Sequence, residues 1–172
     1  EAIKKIYDFT WNEFCNWYIE IVKHRFRKGD FDTKSNSFNI SKKIIKKIVL
    51  LLHPIAPFIS EEIWNHLKDD NEQDIIISSW PKAKNSDISH NKDEISDFKE
   101  IVTSIRTIRS ELNIPPSKKI DVIAYAKNEL IKSRLNSLVD LIKSLSNSEN
   151  LNLSLEKEKP ENSAVAVCKS VE

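Results

Sequence analysis

The sequence has no methionine, a single glycine, Gly29, and two cysteines, Cys15 and Cys168. A phosphate-cradling loop needs several glycines to bring backbone N–H groups against the ligand, so one glycine excludes it. Two distant cysteines make neither a disulfide framework nor a zinc motif, which fits a reducing, cytoplasmic compartment. No apolar run reaches the ~18 residues of a membrane span, and no apolar segment behind a basic start suggests a signal peptide. The missing methionine, with Glu1 already inside a helical pattern, makes an internal piece of a longer protein the expectation.

What is present is globular in composition: 40% hydrophobic and 31% charged, over 172 residues. The net charge of +1 is unevenly spread. Residues 1–60 hold 11 Lys/Arg against 6 Asp/Glu, residues 61–100 hold 5 against 11, and residues 101–172 hold 11 against 9. A basic part beside an acidic part fits an RNA-binding face and a separate solvated face, though ordinary charge scatter explains it equally well.

Helical spacing dominates the first two-thirds of the chain. Ile3, Tyr7, Phe14, Trp17, Tyr18 and Ile21 predict a helix over 2–27, stopped at Gly29 by a left-handed cap. Residues 30–39 read as a polar loop. A second helix follows over about 40–53, interrupted by Pro54 and Pro57, and Ser60 reads as the N-cap of a third. Ile75, Ile76 and Ile77 suggest a short extended segment. A long helix over about 93–113 carries Ile95, Phe98, Ile101, Val102, Ile105, Ile108 and Leu112, and Pro115-Pro116 ends it. Residues 119–126 then alternate as a strand, 129–146 return to helix, and alternation resumes at 151–155 and 164–169. The expected fold is mainly α: a helical bundle over 1–115 and a small α+β unit over 116–172.

Three stretches carry a family resemblance: YDFTWNEFCNWYIEIVK at 7–23, LLHPIAPFISEEIW at 51–64 and IRTIRSELNIPPSKK at 105–119. They resemble valyl-tRNA synthetases, class I aminoacyl-tRNA synthetases, in order and spacing, over nearly the whole chain. The second stretch is shared with isoleucyl and leucyl relatives, whereas the first and third look like the valine enzyme. The resemblance implies a helical anticodon-binding bundle whose first helix or helices are missing, followed by a small mixed unit; strand-like alternation this near the end of the chain makes a truncated sheet the expectation there. It implies tRNA as partner, together with a catalytic domain of the same parent chain that uses ATP with Mg. The family's His-x-Gly-His and Lys-Met-Ser-Lys-Ser signatures are absent, so no catalytic residue, cofactor or metal site is expected within these residues.

The candidate RNA contacts are Lys23, Arg25, Arg27 and Lys28 in the last turn of the first helix. Lys42, Lys43, Lys46 and Lys47 extend them, although a solvated helix face explains this second group as well. Arg106 and Arg109 face one side of the long helix, where they could grip RNA backbone or acidic groups. Trp11, Phe14, Trp17 and Tyr18 could stack on unpaired bases, but their apolar stripe favours core packing. Trp64 and Trp80 read as structural. His53 has no nucleophile in a recognisable motif and reads as a helix-end residue satisfying free carbonyls. Glu61 and Glu62 are adjacent, so they complement a helix dipole rather than act as a pair. The reading is an anticodon-stem-binding segment. Its rivals are the same segment of an isoleucyl or leucyl enzyme, and a helical protein-interaction module with no RNA role.

Overall fold

In the computed structural model, residues 1–83, 89–156, 160–161, 163–168 and 171 are described, with backbone alone at 89–91. They form two compact units, Glu1–Asn85 and Ser86–Glu172. This division falls earlier than 115/116, because the long helix packs on the elements that follow it.

The first unit is helical. α1 (Ala2–Asp8), a π-helical stretch (Phe9–Ile19) and α2 (Glu20–Lys28) run on without leaving helical backbone at Phe9 or Glu20. Most π-helix occurs as single-turn bulges, and nothing in the residues explains an 11-residue run. Gly29 ends α2 in extended backbone, φ −77° and ψ 157°, so the expected left-handed cap is not what it provides. A Cβ there would lie 2.6 Å from the Arg25 carbonyl oxygen and 2.9 Å from Thr33 Cγ2. Close approach, not a positive φ, requires the glycine.

α3 (Phe31–Leu52) begins directly afterwards, so residues 31–39 are helix rather than loop. Asp30 is the N-cap, its carboxylate accepting from the Thr33 N–H at 2.8 Å. The polar residues that mimic a loop include Ser37, which lies buried with Ser41 where the unit's helices pack. The Ser41 hydroxyl donates back to the Ser37 carbonyl at 2.7 Å, so this buried hydroxyl is paired.

α4 (Pro57–Leu67) starts at Pro57, whose missing N–H is harmless in a first turn. Ser60 is therefore inside the helix and not its cap. It is buried, donates to the Ala56 carbonyl at 2.7 Å, and lies 2.8 Å from His53 Nδ1. His53 thus meets a hydroxyl rather than free carbonyls. Trp64, Val49 and Ile75 form a buried cluster with Ile45 and Leu50 packed against it, and Trp64 Nε1 donates to the Gln73 carbonyl at 3.0 Å. Ile75–Ile77 is a 3-10 turn instead of an extended segment.

The second unit sets helices against a small sheet. α5 (Ser89–Glu111) buries Phe98, Ile101, Val102 and Ile105 as its spacing predicts. β1 (Ile120–Tyr125) turns Ala124 inward, with Ile120 and Val122 half-buried on the same side and Asp121 and Ile123 exposed. The helix expected over 129–146 is two, α6 (Glu129–Asn136) and α7 (Val139–Ser146), which cross over to β2 (Ser148–Ser154). β1 and β2 pair in parallel, with Asp121 opposite Asn150 and Tyr125 opposite Ser154. The expected alternating strand at 164–169 is not formed among the described residues. Beyond it, one antiparallel bridge joins Val171 to Ala126 at the end of β1. Asn113 (φ 52°) and Asn147 (φ 53°) hold the left-handed positions that glycine would usually take.

Candidate nucleic-acid interface

The cations at the end of α2 are exposed, but they are not equivalent. Lys23 pairs with Glu20 at 2.6 Å, one turn away. Arg25, Arg27 and Lys28 follow in the last turn, where positive charge is favoured by the helix dipole. Thr33 hydrogen bonds hold the Asp30 carboxyl below its ordinary range, so a fixed negative charge caps α3 beside this cluster.

The four lysines of α3 divide into two pairs. Lys42 and Lys46 point at the acidic loop behind α4. Lys42 donates to Asp69, and Lys46 pairs with Glu72 and, at 3.4 Å, with Asp69. Lys46 Nζ also sits 5.5 Å from the Trp64 ring centroid. Hydrogen bonding from Lys42 holds the Asp69 carboxyl below its ordinary value of 3.8. Bonds from Lys46 and from the Asp69 N–H do the same for Glu72 against 4.5. Lys43 and Lys47 are exposed.

The two arginines of α5 are engaged by carbonyls. Arg106 donates to the Leu145 carbonyl at 2.9 and 3.2 Å, at the C-terminal end of α7. Arg109, only 6% exposed, donates to the carbonyls of Pro115 at 2.8 Å, Lys118 at 2.6 Å and Asn147 at 3.4 Å.

Of the aromatic residues, Phe14 is buried and stacks on half-buried Tyr18 at 5.6 Å. Trp17 is half-buried. Trp11 is 58% exposed and stacks on exposed Tyr7, so the stripe is covered at one end and open at the other. Trp64 is core, while Trp80 is exposed, against its expected structural role. Glu62 is exposed and pairs with His66 at 3.2 Å, whereas Glu61 is half-buried.

Among the described residues, no group of His, Cys, Asp and Glu could hold a metal ion, and no helix is long and apolar enough to cross a membrane. A cavity of about 660 Å³ opens in the second unit between Ile105 and Ile108 of α5, Val122 of β1, and Val165. Cys168 Sγ lies 3.0 Å from Ser104 Oγ there.

Residues 1–124 match the family model of the anticodon-binding domain of tRNA ligases. The chain belongs to this anticodon-binding family. It is 41% identical to the valine–tRNA ligase of Clostridium acetobutylicum over 74% of its length, covering 14% of that protein. It is 38% identical to that of Clostridium perfringens over 86% of the chain and 17% of the relative. With that of Halalkalibacterium halodurans it shares 34% over its whole length and 20% of the relative. The chain thus spans a fifth or less of these curated relatives. The family match covers the first unit entirely and extends through α5 into β1, so it crosses the division between the two compact units.

Proposed function

We propose that this chain is the tRNA-anticodon-stem-binding segment of a valine–tRNA ligase. The parent protein would activate valine with ATP and Mg and transfer it to tRNA. This segment would position the tRNA for a catalytic domain of the same polypeptide, in the reducing cytoplasmic compartment where translation runs. The observation that carries this reading is the anticodon-binding match over residues 1–124, together with relatives that are valine–tRNA ligases. Those relatives favour valine over isoleucine or leucine.

Binding would be mainly electrostatic. Arg25, Arg27 and Lys28 offer charge at a helix end, and each phosphate neutralised releases counterions. Guanidinium groups suit this task because their planar fork of donors matches a phosphate. Arg109 is buried among carbonyls and serves the fold, and Arg106, though exposed, is engaged by the Leu145 carbonyl, so the α2 cluster is the stronger candidate.

The test is a salt titration of tRNA binding by the chain. The expected affinity is weak, on the order of 10⁻⁴–10⁻⁶ M near physiological salt, and steeply salt-dependent. Replacing Arg25 and Arg27 together with Ala should weaken binding and flatten the slope by up to about one unit for each phosphate no longer neutralised. Overlaid curves for wild type and double variant would reject the cluster. Failure of the wild-type chain to bind tRNA even at low salt would favour a protein-interaction module.

A further inference from the structure

Residues 33–60 contain five lysines and no Asp or Glu. Asp32, in the first turn, is the one acid of α3, so beyond that turn the helix has no carboxylate of its own to offset its lysines. Four of those lysines come as two adjacent doublets, Lys42-Lys43 and Lys46-Lys47, four residues apart. At ~3.6 residues per turn, the first members of the doublets share one face and the second members share the neighbouring one. The two faces meet different surroundings. Lys42 and Lys46 are tied to Asp69 and Glu72, and the Lys46 side chain is 11% exposed beneath the acidic loop. Lys43 and Lys47 lie on the exposed side together with Asn36 and Asn39.

From this arrangement, and resting on the RNA-binding reading above, we infer that Asn36, Asn39, Lys43 and Lys47 form a strip that lies along an RNA backbone. Lys42 and Lys46 instead serve the fold, pinning residues 68–74 across α3. The strip runs at positions i, i+3, i+7 and i+11, so it follows one side of the helix for about 16 Å. Its chemistry suits ribose and phosphate: amides donate and accept, and ammonium groups supply point charges. No carboxylate interrupts it between residues 36 and 47. Lys42 and Lys46 are unsuited to that role, because a phosphate would have to displace two carboxylates already in contact.

Two double variants separate the faces. Lys43→Ala with Lys47→Ala should leave the melting temperature unchanged and make the salt dependence of tRNA binding shallower by about 1.4–1.8 units, as expected when two phosphates are no longer neutralised. Lys42→Ala with Lys46→Ala should lower the melting temperature and speed amide exchange over residues 68–74, with the salt slope retained. Lys4→Ala with Lys5→Ala removes equal charge elsewhere and should leave the slope alone. Lysine acetylation of the wild-type chain gives a readout that needs no variant. Bound tRNA should protect Lys43 and Lys47, while Lys42 and Lys46 should react slowly with or without it.

Equal flattening by all three double variants would overturn the inference in favour of diffuse attraction. So would flattening by the Lys42/Lys46 pair alone, or tRNA protection confined to that pair. Absence of tRNA binding by the wild-type chain would instead remove the underlying RNA reading. That outcome is distinct from wild-type binding that ignores Lys43 and Lys47.

Discussion

The two units use their cations differently. In the first, lysines meet carboxylates: Lys42 and the largely covered Lys46 with Asp69 and Glu72, and, at the surface, Lys68 with Asp74. In the second, arginines meet backbone carbonyls: Arg106 at the end of α7, and Arg109 at the Pro115-Pro116 turn. An exposed ion pair contributes little because water competes for both partners. A buried guanidinium saturating several carbonyls cannot be replaced by water without opening the structure. Positive charge in the first unit is therefore divided, Lys42 and Lys46 being committed to the acidic loop while Lys43 and Lys47 stay exposed, whereas in the second the buried Arg109 is architectural and Arg106 is exposed and engaged by a carbonyl.

The largest expected effect that sharpens this contrast lies in the second unit's core. Phe98 is 0% exposed, and Phe98→Ala should destabilise that unit by about 3–5 kcal/mol, read from denaturant unfolding. Arg109→Ala comes next. It leaves the carbonyls of Pro115, Lys118 and Asn147 short of a donor and should cost about 3 kcal/mol. Arg109→Lys should recover less than half of that, since an ammonium cannot reproduce the fork. Full recovery by Lys would show that charge alone matters there and would erase the contrast between the units.

Trp17→Ala should be smaller, roughly 2 kcal/mol, because the ring is half-buried rather than enclosed. Thermal melts would show it. The smallest effect concerns Asp69 and Glu72. Both carboxyls are held below their ordinary values, so their ion pairs contribute fully above those values and are lost as pH falls through the depressed folded-state values. Protection of the amides over residues 68–74 should therefore be constant near neutrality and decline only in acid, below the ordinary 4.5 and 3.8. A loop equally protected throughout would show that the lysines do not hold it.

Much of the fold was legible because apolar residues recur with the period of their element. Phe98, Ile101, Val102 and Ile105 announce one buried helix face, and Ile120, Val122 and Ala124 one side of a strand. Two misread segments share a cause: their packing uses small polar residues that apolar periodicity cannot register. Residues 31–39 look like a loop because Ser37, not a large apolar side chain, is what α3 buries there. Ser60 resembles a cap for the same reason. Gly29 and the two left-handed asparagines show a further limit, since residue type names a permitted backbone and not the one adopted. For the candidate interface, the charges were legible but their partners were not. Lys42 and Asp69 lie 27 positions apart, and only the folded chain brings them together.

The parallel pairing of β1 with β2 also sets an order of events. Antiparallel neighbours can zip from a turn, but β1 has no β2 to pair with until α6 and α7 have been laid across and returned the chain in the same direction. Loop-closure entropy is lost before any ladder bond offsets it. The helices of the first unit, by contrast, meet mainly near neighbours in the chain, as α2 and α3 do across Gly29-Asp30. During refolding, amides of the first unit should gain protection early, and those of Asp121–Tyr125 late. A ribosome releasing this chain would hold β1 as an unpaired edge until the residues up to Ser154 had emerged.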